Sequence, residues 1–209
     1  MRPVLALLLA ACALTFAAPA GAAEQGAPNA VRLDEVERGF WVGSSVGAVF
    51  YPKLPGAGGG AGSGALIGVE LGYDVLRSLQ VGALVWGQAI GAAADYKGVT
   101  DVAADPKAAR GDFESVLAGA TIRWAPFRFR DDNGVDRTYL YLRLAGGAAF
   151  SRPVGVMGDG LWAAVGPGIE YFTRLRHFSV GLEVNGMGMQ TDEGEAIGFA
   201  VLPHLKYSF

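Results

Sequence analysis

From Gly39 to the last residue the apolar side chains recur at every second position, the period of an extended strand whose two faces meet different surroundings. Counting back from the terminus, Phe209, Tyr207, Leu205, Pro203, Val201, Phe199 and Ile197 share one face. Ser208, Lys206, His204, Ala200 and Gly198 share the other with Leu202. Earlier segments repeat the pattern. Phe40, Val42, Val46, Ala48 and Phe50 oppose Gly43, Ser45 and Gly47, and Ala65, Ile67, Val69, Leu71 and Tyr73 oppose Gly64, Gly68, Glu70 and Gly72. Leu79, Val81, Ala83 and Val85 oppose Gln80 and Gly82, although Leu84 and Trp86 blur that segment. Val116, Ala118, Ala120, Ile122 and Trp124 then oppose Ser115, Gly119, Thr121 and Arg123, and Leu140, Leu142, Leu144, Ala148 and Phe150 oppose Tyr139, Tyr141, Arg143 and Gly147. Leu161, Ala163, Val165, Ile169 and Tyr171 oppose Gly166, Gly168 and Glu170, and Phe178, Val180, Leu182 and Val184 oppose Ser179, Gly181, Glu183 and Asn185. With the terminal segment these make eight predicted strands, each of about 9 to 11 residues, enough to cross a bilayer at a tilt.

Period two alone does not separate a membrane barrel from a soluble one with its apolar face inward. The composition of the second face decides. A wall facing water would carry Lys, Glu, Thr and Arg densely, whereas this face is glycine, serine and isolated charges. Such a face suits a narrow lumen, because about eight strands leave an interior just wide enough for side chains to fill. The expected fold is therefore all-β, an eight-stranded antiparallel up-and-down transmembrane β-barrel. Closure pairs every backbone amide within hydrocarbon, which an open sheet edge would not. Phe40, Trp41, Phe50, Tyr51, Tyr73, Trp124, Phe150, Trp162, Tyr171, Tyr207 and Phe209 lie near segment ends, where interfacial aromatic girdles belong.

The connections alternate in length. Asp74 to Ser78 and Thr173 to Arg176 are short, as periplasmic turns are, and Pro52 to Ser63, Gly91 to Asp112, Ser151 to Gly160 and Gln190 to Glu195 read as longer external loops. The exception is Ala125 to Arg137, a longer link on the periplasmic side. An even strand count still places both chain ends in the periplasm.

Composition adds a compartment. The 209 residues are 51% hydrophobic and 18% charged, with a formal net charge of -3. No apolar run outside the leader is long enough for a membrane helix, so membrane residence must come from strands. Residues 1–23 have the charged start (Arg2), the apolar core (Val4 to Phe16) and the small-residue exit (Ala20 to Ala23) of a secretory signal peptide, with cleavage expected near Ala22 or Ala23. Residues 24–38 form a polar periplasmic lead-in, and 39–209 the barrel. Cys12, the one cysteine, falls inside the leader. Leu9-Ala10-Ala11-Cys12 resembles a lipoprotein cleavage box, but the apolar core continues past it, so Cys12 is expected to leave with the leader and the exported chain to have no disulfide framework.

The candidate chemistry lies on the inner face. Glu70, Arg123, Arg143, Glu170, Glu183 and Lys206 fall mid-strand or near it, three acids and three bases, with His204 beside them. Isolated charges in a narrow barrel are costly, so they are expected to pair across the lumen. The expected pairs are Arg143 with Glu170 or Glu183, and Arg123 or Lys206 with Glu70, in a structural rather than a relay role. No catalytic, cofactor or metal site is expected. His177 opens a strand at a periplasmic turn and His204 faces the lumen, so neither sits beside a serine on an external loop. Asp131-Asp132-Asn133-Gly134-Val135-Asp136 lacks the spacing and closing glutamate of a calcium loop and reads as a polar turn. Nothing basic and contiguous points to nucleic acid.

Leu205, Tyr207 and Phe209 resemble the terminal assembly signal that the barrel-insertion machinery recognises on outer-membrane proteins. From about Gly39 to Phe209 the chain resembles the small eight-stranded outer-membrane barrels: the OmpA transmembrane domain and the OmpX and OmpW types. That resemblance implies a Gram-negative outer membrane, contacts with its lipid and the assembly machinery, and no wall anchoring, since the peptidoglycan-binding domain that follows in the OmpA family is not expected here. Arg38-Gly39-Phe40-Trp41-Val42 and Gly68-Val69-Glu70-Leu71-Gly72-Tyr73-Asp74-Val75-Leu76 resemble the CglE type of adventurous gliding motility. The expected role is a non-enzymatic structural or interaction component of the envelope, in gliding motility or surface adhesion, with partner proteins meeting loops 91–112 and 125–137. A narrow pore or carrier, as the OmpW type implies, is the alternative, and a lipid-modifying barrel enzyme a more remote one.

Overall fold

A computed structural model of the protein describes residues 36–55, 60–93, 110–175 and 177–209. The leader with Cys12, most of the polar lead-in and the centre of the 91–112 loop lie outside these residues.

Eight strands run in chain order: β1 (Phe40–Lys53), β2 (Gly62–Leu76), β3 (Leu79–Ala92), β4 (Phe113–Arg130), β5 (Asp136–Arg152), β6 (Gly160–Phe172), β7 (Phe178–Thr191) and β8 (Gly194–Ser208). Each pairs antiparallel with its neighbours, and β1 pairs with β8, so the sheet closes on itself. The strands are longer than the sequence pattern suggested. The shortest, β6, has 13 residues, and at about 3.3 Å per residue and a tilt of about 40° it rises roughly 33 Å, past the roughly 25 Å apolar band of such barrels.

The outward face is the apolar set read from the sequence, including Val46, Ile67, Val69, Leu71, Leu144, Leu161, Val165 and Phe199, all exposed. An exposed apolar wall of this extent suits hydrocarbon and not water. Girdle aromatics Phe40, Tyr73, Trp124, Phe150, Tyr171 and Phe209 stand on this wall. Trp41, Tyr51 and Trp162 do not. They point inward, at 2%, 0% and 3% exposure, because each sits one position out of phase with the outward residues of its strand.

Two connections also differ from expectation. Gln190 to Glu195 is no long loop: β7 and β8 continue to Thr191 and Gly194, leaving only Asp192 and Glu193 as the turn. Ala125 to Arg137 is mostly strand, because β4 and β5 extend past the rim and turn at Asp131 to Val135. There the Asp131 carboxylate accepts the amides of Asn133 and Val135, and Gly134, at φ 77°, donates its amide to the Asp131 carbonyl. The acidic run is thus the polar turn expected of it.

Candidate functional site

The strand pleat delivers alternate residues of all eight strands to one narrow lumen, and the inward polar residues meet near its middle. Glu70 on β2, Arg123 on β4, Arg143 on β5 and Glu183 on β7 form a closed ring of alternating charge. Arg123 lies 2.8 Å from Glu70 and 2.9 Å from Glu183, and Arg143 lies 2.6 Å from each. All four are at most 4% exposed. Two carboxylates and two guanidiniums make the ring neutral, and each acid bridges both bases. Tyr141 donates its hydroxyl to Glu183 at 2.5 Å and Asn185 its amide at 3.1 Å, completing that carboxylate's shell.

Aromatic rings close the charge ring above and below. Arg123 lies over Trp41 and Tyr141, and Arg143 over Trp86 at 4.8 Å; buried cations over aromatic faces are stabilised by the ring quadrupole. On the periplasmic side Lys206 on β8 pairs with Glu170 on β6 at 2.6 Å, and Ser179 donates to the same carboxylate. The sequence reading allowed Lys206 to meet Glu70 and Arg143 to meet Glu170. The structure gives Lys206 to Glu170 and Arg143 to both Glu70 and Glu183, because the stagger between strands brings distant residues level.

Four glycines of the inner face are sockets for inward-pointing rings. A Cβ at Gly72 would lie 2.2 Å from the Trp41 ring, one at Gly68 2.3 Å from Trp86, one at Gly168 2.3 Å from Tyr141 and one at Gly181 2.3 Å from His204. At these four positions the missing Cβ does not widen a channel, because a neighbour's ring fills the space.

Above the charge ring the lumen turns apolar. Val49, Leu66, Leu84, Trp86, Ile90, Leu117, Trp162, Met187, Met189 and Leu202 pack there, with Leu54, Val156 and Met157 from the external loops folded over them. Trp86 and Trp162 pack at a tilt with ring centres 5.3 Å apart, and the Tyr51 hydroxyl donates to Gln88 at 3.0 Å, with the Met189 sulfur 3.3 Å away. This layer was not anticipated, and its one visible trace was the out-of-phase Leu84, Trp86 and Leu202. At the periplasmic mouth Arg38 lies over Tyr139 and Phe172 and donates to the Tyr139 hydroxyl, and Val36 packs on the same rings. A cavity of about 10 Å³ remains beneath them, no more than one water would fill.

His177 and His204 part company. His177, half-exposed at the periplasmic end, lies 2.7 Å from Glu37 and 2.8 Å from the Ser208 carbonyl and stacks on Tyr207. His204 lies inside, 3.9 Å from Glu183 and opposite Ser45 in the β1–β8 register. A serine therefore lies opposite a histidine, inside the lumen and not on an external loop. His204 hydrogen-bonds neither Ser45 nor Glu183, and the packed lumen gives a substrate no way to reach them. Among the described residues no group of histidines and acids is arranged to hold a metal.

The Neisserial surface protein A structure is similar in fold, with a TM-score of 0.56 at 13% identity, covering 84% of this chain and all of that one. The chain has the fold of an outer-membrane β-barrel. Ail, the attachment invasion locus protein of Yersinia pestis, matches at a TM-score of 0.42 and 15% identity over 83% of this chain and 99% of that one. The outer membrane enzyme PagL matches at 0.40 and 9% over 81% and 99%. At such identities the likeness is one of fold. No family model matches the chain, and no curated protein does. The gliding-motility resemblance gains no support from these comparisons. Membrane residence rests on the closed barrel and its apolar wall, on which Leu205 and Phe209 are exposed.

Proposed function

We propose that this barrel is a sealed, non-enzymatic component of the outer membrane that works through its loops and rims and not through its interior. One observation carries the reading: the lumen is filled along its length by the Glu70–Arg123–Glu183–Arg143 ring, the apolar layer above it and the Arg38 contacts below. A pore needs a continuous aqueous path and a carrier an apolar pocket inside the barrel, and the cavity of about 10 Å³ beside Arg38 is neither.

Surface adhesion or gliding motility is the finer assignment within this class. Its support is the architecture: a closed barrel with the β3 and β4 ends at Ala92 and Phe113 on the outer side and the protruding β4–β5 hairpin on the inner side. The test is a deletion strain complemented with two kinds of variant. Shortening the 91–112 loop is expected to leave a folded, membrane-inserted barrel and to abolish attachment or surface movement. Lumen variants that still fold are expected to complement fully. The opposite pattern, with solute uptake lost in the deletion strain and not restored by folded lumen variants, would make transport the function.

A further inference from the structure

We propose that the outer wall carries a seat for one acyl chain of an outer-leaflet lipid, in a groove across β2 to β5. The groove encloses about 530 Å³, within the roughly 300–1,000 Å³ of ordinary small-molecule sites.

Its shape follows from two rows of residues in cross-strand register. Ile67, Gly87, Val116 and Phe150 lie side by side on β2, β3, β4 and β5. The row nearer the extracellular rim is Ala65, Ala89, Glu114 and Arg152. Ala65, Gly87 and Ala89 thus form a shallow floor, with Ile67 on one side and Val116 and Phe150 on the other. On β1 and β8, in contrast, Phe50 and Phe199 meet ring to ring at 5.4 Å and fill the wall.

Internal packing does not require the notch. A Cβ at Gly87 would meet only Ile67, at 3.7 Å, an ordinary contact. Gly68, Gly72, Gly168 and Gly181 on the inner face, in contrast, are held small by a ring within 2.3 Å. The groove continues the lipid-facing band, so the medium it meets is hydrocarbon, and it lies in the extracellular half of the barrel, hence in the outer leaflet. A chain running up the floor would reach the level of Glu114 and Arg152, the latter held 2.9 Å from Asp159, where the polar headgroup zone begins.

The test uses the protein in nanodiscs of dipalmitoyl phosphatidylglycerol, with a heat-modifiable gel shift first showing that each variant is folded in the bilayer. The protein is then released into mild detergent, and retained lipid is counted by native mass spectrometry. The parent protein is expected to keep one lipid. Ala89→Phe, or the milder Ala65→Leu, is expected to lower the retained fraction about tenfold, while Ala163→Phe on the outward face of β6 leaves it unchanged. Equal retention in all variants would overturn the proposal. So would a barrel dimer that both groove variants abolish, since a second copy would then occupy the floor. Failure of the parent protein to show the gel shift would count against the membrane barrel itself, a separate outcome.

Discussion

Glu183 is the most heavily used residue of the lumen, and replacing it with Gln removes one charge at nearly constant volume. Its carboxylate meets Arg143 at 2.6 Å, Arg123 at 2.9 Å, the Tyr141 hydroxyl at 2.5 Å and the Asn185 amide at 3.1 Å. The ring then goes from two acids and two bases to one acid and two bases, leaving a net positive charge at a site where no residue is more than 4% exposed. Breaking a buried pair by removing one partner costs about 3–5 kcal/mol, chiefly because the other charge is left uncompensated. Removing a base as well restores neutrality. Glu183→Gln combined with Arg143→Met leaves Glu70 with Arg123, one pair at 2.8 Å. The double variant is therefore expected to be more stable than Glu183→Gln alone, with a coupling in the range of about 0.5–3 kcal/mol. Reversible urea unfolding in lipid vesicles, followed by tryptophan fluorescence and the gel shift, measures all four corners of the cycle. A single-variant cost below about 1 kcal/mol, the value of an exposed pair, would refute the reasoning, as would simple additivity in the double variant.

Other parts of the account are open to similar tests. Gly68→Ala is expected to destabilise the barrel by about 1–3 kcal/mol through overpacking, and Trp86→Leu in the same chain to recover part of that loss, because the collision is with the Trp86 ring; equal losses with and without Trp86 would remove the socket from the argument. Leu144→Arg, on the lipid face of β5, is expected to cost about 2–4 kcal/mol in vesicles, and a neutral result would mean that this face does not meet hydrocarbon. At the periplasmic turn the hydrogen bond from Arg137, then those from the Val135 and Asn133 amides, hold the Asp131 carboxyl below its ordinary pKa. A depressed carboxylate stabilises the fold above the ordinary value of about 3.9 and loses that contribution as pH falls through the lowered value. Amide protection at Asn133 and Val135, taken relative to the intrinsic exchange rate at each pH, should accordingly fall on acidification, and Asp131→Asn should remove the dependence.

The strand faces were legible wherever a polar residue interrupted an apolar alternation. Glu70, Arg143, Glu170 and Glu183 each stand in such a frame, so their inward direction could be read without coordinates. Their partners could not. Glu70 is separated from Arg123 by 53 positions and from Arg143 by 73, and only the stagger of the closed sheet decides which charges come level, which is why Lys206 went to Glu170. The upper lumen was hidden for a different reason. Leu66, Leu84, Trp86 and Leu202 are as apolar as the lipid-facing residues beside them, and hydropathy contains no mark of direction when both faces are apolar. Trp41, Tyr51 and Trp162 were assigned to the girdles on nearness to strand ends, where parity would have turned them inward. The turn at Asp192 and Glu193 looked like a loop because polar residues at a strand end resemble one.

Single-channel conductance of the protein in a planar bilayer tests the sealed lumen most directly. The account predicts no steady openings above the bare membrane for the parent protein, and flickering openings at most when Glu183→Gln loosens the ring. Steady, ion-selective openings of the parent protein would show that the charge ring and the apolar layer do not close the barrel.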